Sequence, residues 1–407
     1  MRIRTLCVAM ALLSPSVPVM AQTVVTEADA LARLSPDSPR VRAIRAPIDV
    51  ARADVLAVRR WPNPRATFNR ESVAGVTENM VTVAQPLPIT GRRGFEVSAA
   101  SALVEASARR ADDQVRLARA ELRAAYADLV SAQVRETELA QARDRLRELA
   151  AVLGRRETAG ESAGYDRLRA EREVIDLETE LASARAERVR AQAALGSFFA
   201  EGTAPATLIA AVPATPTRTP LPAVEALVQR ANAQRGELMA LEQEAESARF
   251  AARAAARRSI PEPEVVAGTK SSNLAGSDIG TVFSIHATVP LFDRGSPERA
   301  MARARLTQAD SRAAAFRISL AAEISGLRAT VLERREAADR YRATSLTTAT
   351  QLERIAQVSY EAGERGILEL LDAYRGGATA RTRQAALDAA VRQAEIELEF
   401  VSGWELQ

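Results

Sequence analysis

Apolar positions step by three and four along two long stretches of the chain. Val115, Ala118, Leu122, Ala125, Leu129 and Ala132 form one stripe, continued by Leu139, Ala142, Leu146, Leu149 and Leu153. Leu306, Ala309, Ala313, Phe316, Leu320, Ile324, Leu327 and Val331 form another. A repeat of about 3.5 residues predicts a left-handed coiled-coil seam, and its small Ala knobs predict close helix approach. Each stretch runs about 65 residues, which at about 1.5 Å per residue gives a helix on the order of 100 Å long. No globular core needs an element of that length; it suits a device that bridges a distance. Elsewhere the period is two. Met80, Thr82 and Ala84 alternate with Val81, Val83 and Gln85, and Phe283, Ile285, Ala287 and Val289 alternate with Val282, Ser284, His286 and Thr288. That is the signature of strands with one apolar and one polar face.

The pattern occurs twice, offset by about 200 residues. Arg59-Arg60-Trp61-Pro62-Asn63-Pro64 is answered by Arg257-Arg258-Ser259-Ile260-Pro261-Glu262-Pro263. Gln85-Pro86-Leu87-Pro88-Ile89-Thr90-Gly91 is answered by Val289-Pro290-Leu291-Phe292-Asp293-Arg294-Gly295. Thr158-Ala159-Gly160 followed by Asp166 is answered by Glu361-Ala362-Gly363 followed by Glu369. The chain therefore divides into a leader (1–21), a first repeat (22–211), a Pro/Thr-rich linker (212–222) and a second repeat (223–407). Each repeat predicts a helix (28–60, 224–258), two strands (65–71 and 77–85; 263–270 and 279–290), a long helix, a reversal at Gly160 or Gly363, and a returning helix of about 40 residues. The fold class is mainly α with a small β part.

Composition sharpens this. Among 407 residues there are 55 basic and 52 acidic side chains, for a net charge of +3, with one His and one Cys. The charges are interleaved, so nucleic-acid binding has no basic block to stand on. The scarcity of Cys and His excludes most zinc and iron–sulfur sites and leaves His286 without co-ligands, so no metal site and no cofactor is expected. Arg2 and Arg4, the apolar run from Leu6 to Leu13 and Val19-Met20-Ala21 read as a signal peptide cleaved before Gln22, which removes Cys7 and predicts an exported chain. No later segment has the roughly 18–20 apolar residues of a spanning helix.

Strands of 8–12 residues with one apolar face suit a membrane barrel, and they equally suit a soluble antiparallel sheet with one buried face. If they enter lipid, every backbone polar group must be satisfied, so the sheet must close. Familiar barrels begin at about eight strands. Four cannot close alone, and three copies would supply twelve through a rotational, ring-closing interface.

On these residues the sequence resembles the TolC-like outer-membrane factors of Gram-negative efflux and secretion systems, over essentially the whole chain. The segments Trp61-Pro62-Asn63-Pro64, Gln85-Pro86-Leu87 with Gly91-Arg92-Arg93, and Val289 to Gly295 look most like the heavy-metal branch. The resemblance implies a homotrimer whose twelve-stranded barrel sits in outer-membrane lipid, with an α-helical barrel crossing the periplasm. It implies a passive duct rather than an enzyme, working with a periplasmic adaptor and an inner-membrane RND-type pump. Pro86 and Pro290 correspond to the strand-to-helix transitions. Tyr360, Arg365 and Asp166 match residues that hold the periplasmic mouth shut, and Glu369 and Asp372 match the acids of its narrowest ring. One departure stands out: Ser35-Pro36-Asp37-Ser38-Pro39 replaces the family's Asn-Pro step and predicts a shortened or kinked first helix.

Read without the resemblance, Glu369 and Asp372 lie three apart on one helical face, where threefold repetition would gather six carboxylates that favour cations. Charged pairs on helices are also commonly just solvated. A periplasmic adaptor or a non-pore coiled-coil scaffold would equally explain helical hairpins, but neither needs duplicated amphipathic strands.

Overall fold

A computed structural model describes residues 23–160, 164–199, 204–212, 219–274 and 278–404. The leader, the middle of the Pro/Thr-rich linker and residues 275–277 lie outside the described residues. The chain opens with β1 (Thr23–Val25), α1 (Glu27–Ala32) and α2 (Pro39–Arg59). The expected single helix over 28–60 is thus two. Pro39 occupies the first turn of α2, and the Ser38 hydroxyl caps it by accepting from Val41 N at 3.3 Å. Two strands follow, β2 (Arg65–Val73) and β3 (Val76–Pro86), then α3 (Arg92–Thr158) and α4 (Gly164–Gly196). α3 has 67 residues.

The second half repeats the order after β4 (Leu208–Ala210), a short strand that pairs in parallel with β1. The helix expected over 224–258 is again two, α5 (Val224–Gln234) and α6 (Gly236–Arg257). They are separated at Arg235, whose ψ of 117° leaves the helical region. The break has a packing cause. Gly236 N donates to Asp113 Oδ1 at 3.3 Å, and a Cβ on Gly236 would sit 2.3 Å from Arg109 O. β5 (Pro263–Ser272), β6 (Asp278–Ala287) and α7 (Ser296–Tyr341) follow. A π-helical turn (Arg342–Leu346) joins α7 to α8 (Thr347–Glu361), and α9 (Ile367–Ser402) returns. β6 ends at Ala287, short of the expected 290, because its partner β5 begins at Pro263, opposite Ala287. Pro290 therefore lies three residues past the strand, whereas Pro86 is the last residue of β3.

The helices form a wall four across. On the sheet side the order is α2, α3, α6, α7; beyond the middle it is α4, α3, α9 and α7 continued by α8. The long α3 and α7 run through both levels, and α1, α5 and the β1–β4 pair sit where the short helices change over. The predicted stripes are the seams: Leu122, Leu129, Leu146 and Leu153 on α3, and Leu320, Ile324 and Val331 on α7, are buried. Each such side chain is worth about 1.5–3 kcal/mol of burial. Tyr126 of α3 anchors the middle. Its hydroxyl lies 3.1 Å from Val25 O and 2.8 Å from Ala211 O, and burial raises the phenol pKa, keeping it a donor.

Candidate functional site

Two regions carry the functional geometry: the sheet at one end and the hairpin tips at the other. The sheet is antiparallel throughout, in the order β2-β3-β5-β6. Its register puts Phe68 beside Val81, Ala267 beside Phe283, and Val265 beside Ile285. These share one face with Val83 and Ile279, and that face is apolar and uncovered: Phe283 is 72% exposed and Ile279 75%. The opposite face carries Arg65, Thr67, Asn69, Glu78, Lys270, Ser284 and His286 by the alternation of each strand. Lys270 Nζ pairs with Glu78 at 2.6 Å, and Ser284 Oγ lies 3.2 Å from His286 Nε2. β2 and β6 are left as unpaired edges within the chain.

A soluble sheet would bury its apolar face against its own helices. Here no described element of the protomer covers it, so its complement is an apolar medium or other chains. No described helix is long and apolar enough to cross a membrane. Among the described residues no group of three or more His, Cys, Asp or Glu is placed to hold a metal ion.

At the tips, α3 and α8 both end on glycine in the left-handed region, Gly160 at φ +77° and Gly363 at φ +72°. A side chain there would strain the backbone, which is why each reversal falls where it does. Gly363 N donates to Tyr360 O at 3.1 Å, and Glu364 N to Ser359 O at 2.9 Å. Asp166 sits half-buried in the first turn of α4, and Arg365 is exposed on the loop before α9. Within the protomer no ion pair joins them. Tyr360 packs on the apolar cluster of the tip and is met instead by Arg156 of α3, whose Nη1 lies 3.5 Å from the phenol oxygen. Glu369 and Asp372 are both exposed on α9. They point away from buried Ile367, Leu370 and Leu371, and Asp372 lines a cavity of about 410 Å³ beside the π-helical turn.

The sequence reading missed the charged group that ties the two hairpins together. Glu353 of α8 is nearly buried. It pairs with Arg381 of α9 at 3.0 Å and Arg145 of α3 at 3.5 Å, while Arg381 also reaches Glu138 of α3 at 2.8 Å. Room for Glu353 comes from Gly377, where a Cβ would fall 1.4 Å from Glu353 Oε1. The adjacent pair Gly376-Gly377 inside a helical stretch was the available signal, since such glycines mark close approach. Arg375 adds a tie to Glu173 of α4 at 3.4 Å.

Residues 227–403 match the family model described as outer membrane efflux protein. Solved structures extend the likeness to more than nine-tenths of the chain. A membrane protein from Pseudomonas aeruginosa superposes with a TM-score of 0.76 at 20% identity, covering 93% of this chain and 92% of its own. CusC, from a study of folding and transmembrane channel formation, gives 0.73 at 16% identity over 93% and 92%. The CmeC outer membrane channel of Campylobacter jejuni gives 0.73 at 13% identity over 98% and 94%. At these identities the structures establish the shared fold. No curated protein matches the sequence.

Proposed function

We propose that this chain, an outer membrane efflux protein of the TolC-like fold, is the passive exit duct of a tripartite efflux system. The observation that carries this is a protomer open on every side where a ring would close. Its four-stranded sheet has two unpaired edges and a bare apolar face, and its helical wall has two free edges, α2 with α4 and α7 with α8. In lipid an open sheet edge is untenable. Three copies joined head to tail give twelve strands around a polar lumen and twelve helices below. The free edges support the same contact near the tips: Tyr165, Leu168 and Ile175 are exposed on α4, and Leu352, Ile355 and Val358 on α8. An adaptor or scaffold has no use for the uncovered sheet face. The chain lies in the outer membrane, its helices extend into the periplasm, and it performs no chemistry of its own.

The finer reading names the cargo and the mouth. An RND-type pump delivers heavy-metal cations through a periplasmic adaptor, a reading supported by the sequence segments that look like the heavy-metal branch and by the exposed acids on α9. Because α4 and the α8–α9 loop lie on opposite edges of the protomer, Arg365 of one copy meets Asp166 of the next at the mouth. Tyr360 braces that contact, and Glu369 and Asp372 line the constriction.

The test is extraction of outer membranes in mild detergent, followed by electrophoresis without heating and recording in planar bilayers. Trimers that conduct ions are expected; a water-soluble periplasmic monomer overturns the channel reading. For the cargo, deletion of the gene should sensitise cells to divalent metal salts more than to hydrophobic drugs. The reverse ranking removes the metal assignment and leaves the channel standing.

A further inference from the structure

At mid-height, α3 and α9 form the floor of a cavity of about 840 Å³, with α1 and α5 as its walls. Both floor helices are inner members of the four-helix wall, so the cavity is built within one protomer and away from its free edges. Among the described residues five arginines line it, Arg116, Arg119, Arg123, Arg230 and Arg392, against two carboxylates, Glu27 and Glu399, a surplus of three positive charges. Three of the arginines are engaged. Arg123 bridges Glu27 and Glu399, Arg392 holds Glu27 at 3.0 Å, and Arg116 lies 3.7 Å from Asp113. The other two differ. Arg119 and Arg230 are exposed on the cavity rim, and neither has a carboxylate of a described residue within ion-pair distance; Arg230 touches only the Gln234 amide at 3.4 Å.

We propose that this cavity is a binding site for a multivalent oxyanion, of the phosphate or polycarboxylate class. Arg119 and Arg230 take the anionic oxygens. Guanidinium forks match such groups, and a concave site of one sign concentrates them. Nothing in this site depends on the duct, so it stands apart from the efflux reading.

The test uses the detergent-solubilised full-length protein at constant ionic strength. Inorganic phosphate and citrate are titrated against a chloride control by calorimetry, with thermal unfolding followed in parallel. Saturable binding of at least one of the two is expected, and the Arg119→Gln/Arg230→Gln variant should bind about tenfold more weakly. Both side chains are exposed, so that variant should unfold without anion at the wild-type temperature or above it, as like charges are removed. Phosphate alone binding identifies a phosphate site, and citrate alone a carboxylate site. Failure of both to saturate beyond chloride, or equal binding by the variant, overturns the proposal.

Discussion

Gly377 is a residue defined by what leans on it. The Glu353 carboxylate fills the space its side chain would take, and from there reaches Arg381 and Arg145. Gly377→Ala should displace that carboxylate and cost about 1–3 kcal/mol, the usual range for overpacking. A lowered unfolding temperature for the purified protein checks this; unchanged stability would mean that Glu353 swings aside freely. Glu27 behaves in a complementary way. Burial alone would raise its pKa, but the charges of Arg392 and Arg123 and their hydrogen bonds outweigh this and hold it below its ordinary 4.5. A depressed carboxyl contributes stability above its unfolded pKa and loses it as pH falls through the folded value. The protein should therefore weaken as the medium is acidified below about 4.5. Glu27→Gln should flatten that acid limb in a pH series of melting curves.

At the scale of elements, the long helices and four strands were legible because each repeats a period over many residues. Leu122 to Leu153 and Leu306 to Val331 predicted the seams that are buried, and the alternation around Phe283 predicted the face that is bare. Boundaries set by single tertiary contacts were not legible. The break at Arg235 exists because Gly236 meets Arg109 and Asp113, residues more than a hundred positions away, and no local pattern reports that. β1 and β4, three residues each, pair in parallel across most of the first repeat and are too short to show periodicity. At the tips the left-handed glycines at the reversals were legible, while the Glu353–Arg381–Glu138 group stayed hidden because charged residues on helices ordinarily read as wet surface. The sheet offers a direct check at this scale. Phe283→Arg places a cation on the uncovered face, where the lipid midplane penalty is about 2–4 kcal/mol. It should sharply reduce trimer recovered from outer membranes. Ser284→Arg, one residue along and facing the other way, should be tolerated.

Over the whole molecule, the proposed trimer would let small local energies add up at its mouth. An exposed ion pair is worth about 0–1 kcal/mol, so a single Arg365–Asp166 contact would hardly matter, yet three in one ring would bias an opening equilibrium together. Replacing both residues with Ala should raise single-channel conductance, and unchanged conductance would remove the latch. Replacing Glu369 and Asp372 with Ala should weaken cation preference; constant ion selectivity would place those acids outside the lumen.

The unpaired outer edges of β2 and β6 also carry a genetic consequence. If closure takes three copies, each lending one edge to the next, a single defective subunit spoils the ring it joins. In a cell making equal amounts of sound and edge-damaged polypeptide, random mixing leaves only about one eighth of the rings fully sound. Such alleles should behave as dominant poisons, while a null allele, contributing no subunit, should be recessive.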